Sequence, residues 1–390
     1  MVYRRFLLAG SLAALSTSMV RAQSRGPEAR GPEARGPESR DQALAPAAKP
    51  PAFRLEEAAH FDHQATGVAV SADGRIFVNF PRWTEDSPIS VAEVGRDGTL
   101  KPYPDEKWNS WRNAGGPTPS PREHFVCVQS VVADNRGNLW MLDAASPGID
   151  KVVPGGPKLV RIELATNSVA QIIHFGEDVA LQGSYLNDVR FHPDGATAFI
   201  TDSGARGALV IVDLESGRAH ARLDGHPSTQ AEKGVEVAVA GEKIKRPDGR
   251  PFQVAADGIA LSQDGRTLYW QALTGRTLYR IETAALLSDN PEDAAKKIEK
   301  VGTTHVADGL LMSHDDRLYL TAPEDNEVRL WTGERSETVV SDSRLSWPDS
   351  LAEGPDGSIY VTASRLHEMP WFRAGAPNVL ATHLFRLVHA

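Results

Sequence analysis

Six polar residues hold the same place in a repeated stretch of sequence, and their side chains are the best equipped in this chain to do chemistry. They are Thr66, Gln129, Asn187, Asp257, Asp308 and Asp349. The set offers carboxylate, amide and hydroxyl oxygens and contains no basic group. Hard cations such as calcium prefer oxygen ligands, and clustered carboxylates repel one another unless a cation or a proton is bound. We therefore expect Ca²⁺ or another divalent cation at this ring of side chains. The alternative is that each side chain only hydrogen-bonds to its own turn.

The repeat itself predicts how these residues are brought together. Each leading residue is followed by an apolar stretch, an Asp/Gly-type turn such as Asp73-Gly74, and an apolar, aromatic-rich strand such as Ile76-Phe77-Val78. Such a pattern forms a hairpin, and the chain between copies holds about four short strands, which is one propeller blade. A single sheet of this kind cannot bury both of its faces, so six must stack around an axis. We predict an all-β fold, a six-bladed β-propeller of four-stranded antiparallel blades over residues 52–390.

Two consequences follow from a propeller. The leading residue precedes the innermost strand of each blade, so the six leading side chains would converge on one mouth of the axial channel. Ring closure also needs a strand from one terminus to complete the blade of the other, and residues 52–60 lie where such a strand would be.

Composition excludes several classes of protein. The chain has 390 residues, of which 41% are hydrophobic, and a net charge of −9 with scattered Lys and Arg, which argues against nucleic acid as a partner. Its single cysteine, Cys127, excludes an intramolecular disulfide and a four-cysteine zinc site, and lies in an apolar run typical of a buried, inert thiol. The sequence contains no serine-hydrolase elbow, phosphate-binding loop, zinc-protease motif or dinucleotide fingerprint.

The N-terminal residues have the composition of a targeting signal. Residues 1–22 combine Arg4-Arg5 with a short apolar run that is too short to span a bilayer, and they predict a signal peptide of twin-arginine type or, alternatively, an ordinary secretory signal. Residues 23–51 repeat Arg-Gly-Pro-Glu and predict a disordered linker. We expect the protein to be periplasmic or secreted.

Two motifs resemble the Yellow / major royal jelly protein family. They are Pro81-Arg82-Trp83 and Leu139-Trp140-Met141-Leu142-Asp143. The resemblance covers residues 53–390 and implies an exported six-bladed propeller with a ligand pocket on its axis. Members of that family differ in activity, so the resemblance does not fix one function.

The leading residues have a more distant resemblance to the senescence-marker-protein / gluconolactonase family, whose members are six-bladed and calcium-dependent. Asn187-Asp188 resembles its substrate-side Asn-Asp, and Asp257-Gly258 takes the place of its metal-binding Asn-Gly. Asp308-Gly309 resembles the metal-binding Asp-Gly that supplies the general base. Thr66 stands where that family has a metal-ligand Glu, and Asp349 could compensate for the missing charge from another blade.

These observations lead to two main hypotheses. The first, implied by the second resemblance, is a metal-dependent lactone or ester hydrolase of gluconolactonase type. In it, Ca²⁺ or another divalent cation is bound by Asn187, Asp257 and Asp308, and Asp308 or Asp257 activates water. The second is a non-catalytic binder of small amines, held by carboxylates and aromatic rings. Expected ligand-binding residues are Asn187, Asp188, Gln129, Thr66, Asp349, Trp83, Tyr185 and Trp347. A protein-binding scaffold is a third hypothesis. We expect a monomer with a small-molecule partner and no membrane span.

Overall fold

The structure is a computed structural model that describes residues 53–84, 86–114, 119–149, 151–288 and 290–389. The chain begins there with strand β1 (Phe53–Phe61), and the described residues form six four-stranded antiparallel sheets and one two-stranded hairpin. The predicted six-bladed propeller is therefore confirmed. The predicted signal peptide and linker, residues 1–22 and 23–51, lie outside the described residues and stay predictions.

The first three blades follow one another along the chain, each running from its innermost strand outwards. Blade 1 contains β2 (Val68–Val70), β3 (Ile76–Asn79), β4 (Val91–Val94) and β5 (Leu100–Pro102). Blade 2 contains β6 (Val128–Ala133), β7 (Asn138–Asp143), β8 (Lys158–Glu163) and β9 (Ser168–His174). Blade 3 contains β10 (Leu186–Phe191), β11 (Thr197–Asp202), β12 (Ala208–Asp213) and β13 (Ala219–Arg222).

The second half of the ring carries the insertions. A separate hairpin, β14 (Ala238–Val239) and β15 (Glu242–Lys243), precedes blade 4. Blade 4 contains β16 (Ala256–Leu261), β17 (Thr267–Ala272), β18 (Thr277–Glu282), the helices α1 (Thr283–Leu286) and α2 (Pro291–Lys296), and β19 (Glu299–Thr303). Blade 5 contains β20 (Leu310–Met312), β21 (Leu318–Ala322), β22 (Glu327–Trp331) and β23 (Ser336–Ser341). Blade 6 contains β24 (Pro348–Glu353), β25 (Ile359–Ala363), a 3-10 helix (Leu366–Glu368) and β26 (Thr382–His389).

The hairpin turns predicted from the repeat are present between the two inner strands of the blades. The backbone N–H of Gly195 donates to His192 (2.9 Å), and that of Gly265 donates to Ser262 (2.8 Å). Both glycines have positive φ, which glycine adopts without strain. Blade 5 has no glycine here, and Asp316 takes the left-handed conformation instead, with φ of 57°. Aspartate is among the few other residues that tolerate it.

The innermost strands contact one another in the cyclic order β2, β6, β10, β16, β20, β24 and back to β2. Apolar side chains fill the spaces between neighbouring blades. Between blades 2 and 3, for example, Leu142 and Leu159 belong to one buried cluster with Val189 and Ile200.

None of the helices in the described residues is long and apolar enough to cross a membrane.

The ring is closed by the N-terminal strand. β1 is the outermost strand of blade 6 and pairs antiparallel with β26, with Phe53 opposite His389 and Phe61 opposite Thr382. Phe61 is 1% exposed and meets Phe80 of blade 1 edge to face, with ring centroids 5.6 Å apart. The closing strand predicted at residues 52–60 is therefore present, and its bounds are Phe53–Phe61.

We predict that removal of β1 abolishes the stable fold, whereas removal of the preceding residues does not. A chain starting at residue 62 exposes the edge of β26 and loses Phe61, which should cost several kcal/mol, comparable to the stability of a typical domain. Thermal unfolding followed by circular dichroism would measure this. A chain starting at residue 49 is the control, and equal melting temperatures for the two truncations would contradict the closure role.

Candidate functional site

The starts of the inner strands lie close together because glycine follows three of the leading residues, Thr66, Asp257 and Asp308. A Cβ atom at Gly258 would lie 2.4 Å from the carbonyl oxygen of Asp308, and one at Gly309 would lie 2.2 Å from that of Asp349. Any larger residue at these positions would push the next blade outwards. The Asp-Gly pairs of the repeat are therefore needed for the close approach of one blade to the next.

The leading residues also sit at irregular points of the strand pairing. The register of β10 with β11 shifts between Leu186 and Val189, and that of β16 with β17 shifts between Ala256 and Ile259. β24 has the corresponding shift between Pro348 and Leu351. Irregularities of this kind redirect side chains away from the regular alternation of a strand. Asn187, Asp257 and Asp349 all lie within them.

Three leading carboxylates form an acid cluster, which we define as Asp257, Asp308 and Asp349. Their residues are 5%, 8% and 6% exposed, respectively. Asp257 and Asp308 share a hydrogen bond, and their charged neighbours are other carboxylates, including Asp188. An ionised pair of this kind would be strongly repulsive, so one carboxyl group of the pair must hold a proton or both must meet a cation.

The pKa values of the cluster reflect this crowding. Burial, followed by the charges of Asp308 and Asp349, raises the pKa of Asp257 well above its usual range. Burial and the charge of Asp308 do the same to the pKa of Asp349. Burial raises the pKa of Asp308 to about 6, against the opposing effect of hydrogen bonds from Trp347 and Asp257. At neutral pH, Asp308 is therefore the carboxyl group of the three that is most readily ionised.

A second group of predicted residues forms a hydrogen-bonded chain. The Tyr185 hydroxyl donates to Gln129 Oε1 (2.8 Å) and accepts from Trp83 Nε1 (2.6 Å). Burial, and then the nearby Cys127 thiol, raises the pKa of Tyr185 well above its usual value, and the charge of Asp257 acts in the same direction. Tyr185 therefore lies within electrostatic reach of the acid cluster, and it stays protonated at physiological pH.

Two predicted ligand residues are used elsewhere in the structure. Thr66 is fully buried, its hydroxyl accepts from Asn79 Nδ2 (2.9 Å), and its carbonyl oxygen accepts from the Thr362 hydroxyl (2.5 Å). Asp188 faces the channel beyond the leading residues, where Oδ1 accepts from the Ser130 hydroxyl (2.7 Å) and from Arg190 Nη1 (2.8 Å). Arg190 also donates to the carbonyl oxygen of Leu310 (2.7 Å), across the inner strand of blade 4.

An axial cavity of about 440 Å³ begins at Asp188 and Arg190. Its lining includes Ser130, Asp188 and Arg190 at one end and Gln263 and His314 at the hairpin turns of the opposite end. The acid cluster is not part of this lining. The cavity and the acid cluster therefore occupy different stretches of the axis.

Five aromatic side chains adjoin the acid cluster, and three of them were not predicted from the sequence. We define the aromatic cluster as Trp83, Phe252, Trp347, Trp371 and Phe372, which pack in one hydrophobic group with residues of the β14–β15 hairpin. Ring centroids are 5.6 Å apart for Trp83 and Trp371 and 5.2 Å apart for Phe252 and Phe372. Trp347 joins the two clusters, because its Nε1 donates to Asp308 Oδ2 (2.6 Å). Phe252, Trp371 and Phe372 come from segments without any repeat pattern.

The single cysteine agrees with its predicted state. Cys127 is fully buried, and burial raises the pKa of its thiol to about 12. A thiol of this kind is almost entirely un-ionised at physiological pH and is a poor nucleophile.

Arg82, in the motif that resembles a known family, is also fully buried and donates to the carbonyl oxygens of Ser87, Asn109 and Phe125. It therefore anchors loops.

The residues present fit a hard cation in their chemistry. No group of three or more His, Cys, Asp or Glu side chains within the described residues is arranged to hold a metal ion. A cation would therefore need the amide of Asn187 beside Asp257 and Asp308. Asn187 is 6% exposed as a residue, and its amide is not among the buried polar atoms that lack a partner in the described part of the chain. An amide oxygen and two crowded carboxylates are the kind of oxygen ligands that calcium accepts.

Fold and site together define a six-bladed propeller with an acid cluster at one end of its axis. Residues 126–372 match the major royal jelly protein family. The chain belongs to this family.

Several relatives and solved structures are similar to the chain. Major royal jelly protein 6 of Apis mellifera is 24% identical over 251 residues, which are 61% of this chain and 53% of that protein. Major royal jelly protein 5 of the same species is 24% identical over 274 residues, 66% of this chain and 42% of that protein. The chain thus spans about half the length of these relatives. A lactonohydrolase of Aspergillus oryzae is 23% identical over 155 residues, 39% of this chain and 34% of that protein.

Among solved structures, a gluconolactonase from Xanthomonas campestris has the same fold, with a TM-score of 0.52 and 12% identity, covering 88% of this chain and 96% of that one. A luciferin-regenerating enzyme has a TM-score of 0.52 and 10% identity, covering 86% and 95%. At these identities, the likeness shows the fold alone.

We predict that Asp349→Asn stabilises the cation-free protein increasingly as the pH rises. The pKa of Asp349 is higher in the folded state than the unfolded value of about 3.9. Between these two values the native state holds a proton that the unfolded chain releases, so wild-type stability falls as the pH rises. Asparagine has no such proton to lose. The gain should be roughly 1.4 kcal/mol for each unit by which folding raises the pKa.

Thermal unfolding in the presence of a chelator, at pH 4 and pH 8, would measure this gain. The control is Asp213→Asn, because a hydrogen bond from the backbone N–H of Ser216 lowers the pKa of the exposed Asp213. That variant should gain nothing at pH 8. An Asp349→Asn gain that is no larger at pH 8 than at pH 4 would refute the crowding of the acid cluster.

Proposed function

We propose that this protein is a divalent-cation-dependent hydrolase of lactones or related esters, acting at the acid cluster. The observation that carries the proposal is the set of buried carboxylates whose charged neighbours are other carboxylates. Such an arrangement is costly to fold and is typical of functional sites. A bound cation would relieve the repulsion, and calcium is the first candidate.

The roles of the residues follow from their environments. Asp257 and the amide of Asn187 would hold the cation together with Asp308. When bound, the cation would polarise the carbonyl group of the substrate as a Lewis acid. Asp308, with a pKa of about 6, is ionised at neutral pH yet basic enough to accept a proton from water, which suits a general base.

Other residues of the site would bind and orient the substrate. The Tyr185 hydroxyl is held between Gln129 and Trp83, so its position relative to the acid cluster is fixed. Asp349 adds a third carboxyl group from blade 6. Thr66 contributes no charge, and its hydroxyl is engaged with Asn79, so a site here would differ in composition from one with a carboxylate in blade 1.

The comparisons support this proposal in two ways. A lactonohydrolase is among the curated relatives, although the match covers 39% of this chain. A gluconolactonase is among the solved structures with the same fold. We regard both as support for lactones as the first substrate class to test.

We predict that Asp308→Asn lowers the turnover of a responsive lactone by about 100-fold or more, because it removes the general base. A panel of sugar and aliphatic lactones, assayed by pH-stat with and without calcium chloride, would identify the substrate and its cation requirement. The matched control is Asp264→Asn, at an exposed hairpin turn of blade 4. Unchanged hydrolysis by Asp308→Asn would remove the assignment of the base.

A second candidate function is the binding of a small aromatic amine without turnover. It is favoured by the aromatic cluster that borders the carboxylates, since aromatic faces and negative charge together attract organic cations. Trp83 is partly exposed and meets Trp371, so it is the most accessible predicted ring.

Calorimetry with calcium chloride and with tryptamine would separate the two functions. If the hydrolase proposal holds, we expect calcium to bind and Asp308→Asn to weaken the binding by about tenfold or more, because a charged ligand is lost. If the protein is an amine binder, tryptamine should bind in the presence of a chelator, and Trp83→Ala should weaken that binding. Tryptamine binding without any calcium binding would reject the hydrolase.

A further inference from the structure

We infer that Trp347 is a positioning residue, which holds the Asp308 carboxylate in place by a hydrogen bond and makes no contact with the ligand. The inference rests on the proposed function, because it assigns Trp347 a role in the orientation of the general base. Three independent features of Trp347 support it: its hydrogen bond, its backbone conformation and its packing.

The hydrogen bond is short and sheltered from solvent. Trp347 Nε1 donates to Asp308 Oδ2 at 2.6 Å, and the Trp347 side chain is fully buried. A buried indole N–H needs an acceptor, and a bond to a carboxylate is stronger than one between neutral groups. The indole occupies one acceptor position of Oδ2, and the other acceptor positions of the Asp308 carboxylate remain for Asp257, water or a ligand.

The backbone at Trp347 is in a conformation that a bulky side chain rarely adopts. Its φ is +59°, in the left-handed region that favours glycine. The conformation is held from both sides, since the backbone N–H of Ser364 donates to the Trp347 carbonyl oxygen (3.0 Å) and that of Arg365 to Ser346 (3.0 Å). Glycine would relax the backbone but would leave Asp308 without its donor. Strain kept at such a position is typical of functional sites.

The packing leaves the indole no freedom to turn. Its ring is stacked on His367, with centroids 5.8 Å apart and planes inclined by 20°, and Phe252 meets it edge to face at 6.0 Å. His367 belongs to the 3-10 helix Leu366–Glu368. With no exposed face, the indole cannot offer a surface to an organic cation. It instead links the segment after β25 to Asp308 in blade 5.

The chain offers a matched control at Trp331. This residue is also buried, at 3% exposed, and its Nε1 has no hydrogen-bond partner among the described residues. Trp331→Phe and Trp347→Phe remove the same group of atoms from a buried site. The two variants differ in that only Trp347→Phe breaks a hydrogen bond to a carboxylate.

The first test uses the cation-free protein with ¹⁵N-labelled tryptophan. We expect one indole N–H resonance to lie far downfield, to vanish in Trp347→Phe and to move upfield in Asp308→Asn, because the amide is a weaker acceptor than a carboxylate. The same resonance should stay in place in Trp331→Phe. If Asp308→Asn leaves every indole resonance unmoved, Trp347 does not hold Asp308, and the inference is overturned without any reference to activity.

The second test compares turnover of a lactone identified with the wild-type protein. Trp347→Phe should lower kcat by about tenfold or more with KM little changed, since a misplaced base affects the chemical step. Trp331→Phe should keep the wild-type kcat, even if its melting temperature falls equally. Equal kcat values for the two variants would overturn the positioning role. A wild-type protein that hydrolyses no lactone would instead reject the proposed function, and the resonance test would still decide whether Trp347 holds Asp308.

Discussion

The site depends on hydrogen bonds that tie the second strand of one blade to the leading backbone of the next. The Thr201 hydroxyl donates to the carbonyl oxygen of Asp257 (2.6 Å), and that of Thr362 donates to the carbonyl oxygen of Thr66. In blade 1, Asn79 Nδ2 reaches the carbonyl oxygen of Gln129 (3.1 Å). The bonds from Thr201 and Thr362 are buried and the bond from Asn79 is partly buried, so these bonds avoid unsatisfied carbonyl oxygens at the centre of the ring. They fix the backbone from which the leading side chains project.

This constraint explains how three carboxyl groups can be held together against their mutual repulsion. The energy that favours the ring comes from apolar packing between blades, which is spread over the whole molecule and is far larger than the electrostatic cost at one point. The leading residues cannot move apart without opening the inner ring. The fold therefore imposes on Asp257 and Asp308 a proximity that would relax in a flexible loop. Active sites commonly contain such locally destabilising arrangements, because function requires groups whose proximity lowers the stability of the folded protein.

Much of the fold could be predicted from the sequence, because every blade repeats the same hairpin signal. The repeat identified the inner strands, their turns and the closing strand, and it brought Asp257, Asp308 and Asp349 into one group. The sequence repeat predicts only features that all blades have in common, and it cannot predict a contact that occurs in one blade alone. The bond between Trp347 and Asp308 is of that second kind, as is the chain from Trp83 through Tyr185 to Gln129.

Equivalence in the repeat also concealed real differences between positions. Thr66 satisfies its hydrogen bonds inside the framework, although it is the counterpart of Asp257 and Asp308. Asp188 follows a leading residue, and its place in the strand turns it towards Arg190 in the axial channel. The loop that carries Phe252 and the segment around Trp371 have no counterpart in other blades. Their aromatic residues therefore gave no periodic signal, although they border the acid cluster.

The pairing of β1 with β26 has a consequence for how the polypeptide acquires its structure. Thr382 donates to the carbonyl oxygen of His63, a residue 319 positions away, whereas the central blades are built from hairpins close in sequence. Contacts between such distant residues form slowly, because a long loop must close before they contribute any stability. On a ribosome, the first strand would leave the exit tunnel long before its partner is synthesised. The emerging N-terminal segment must therefore stay unpaired, and protected from aggregation, until the last blade is complete.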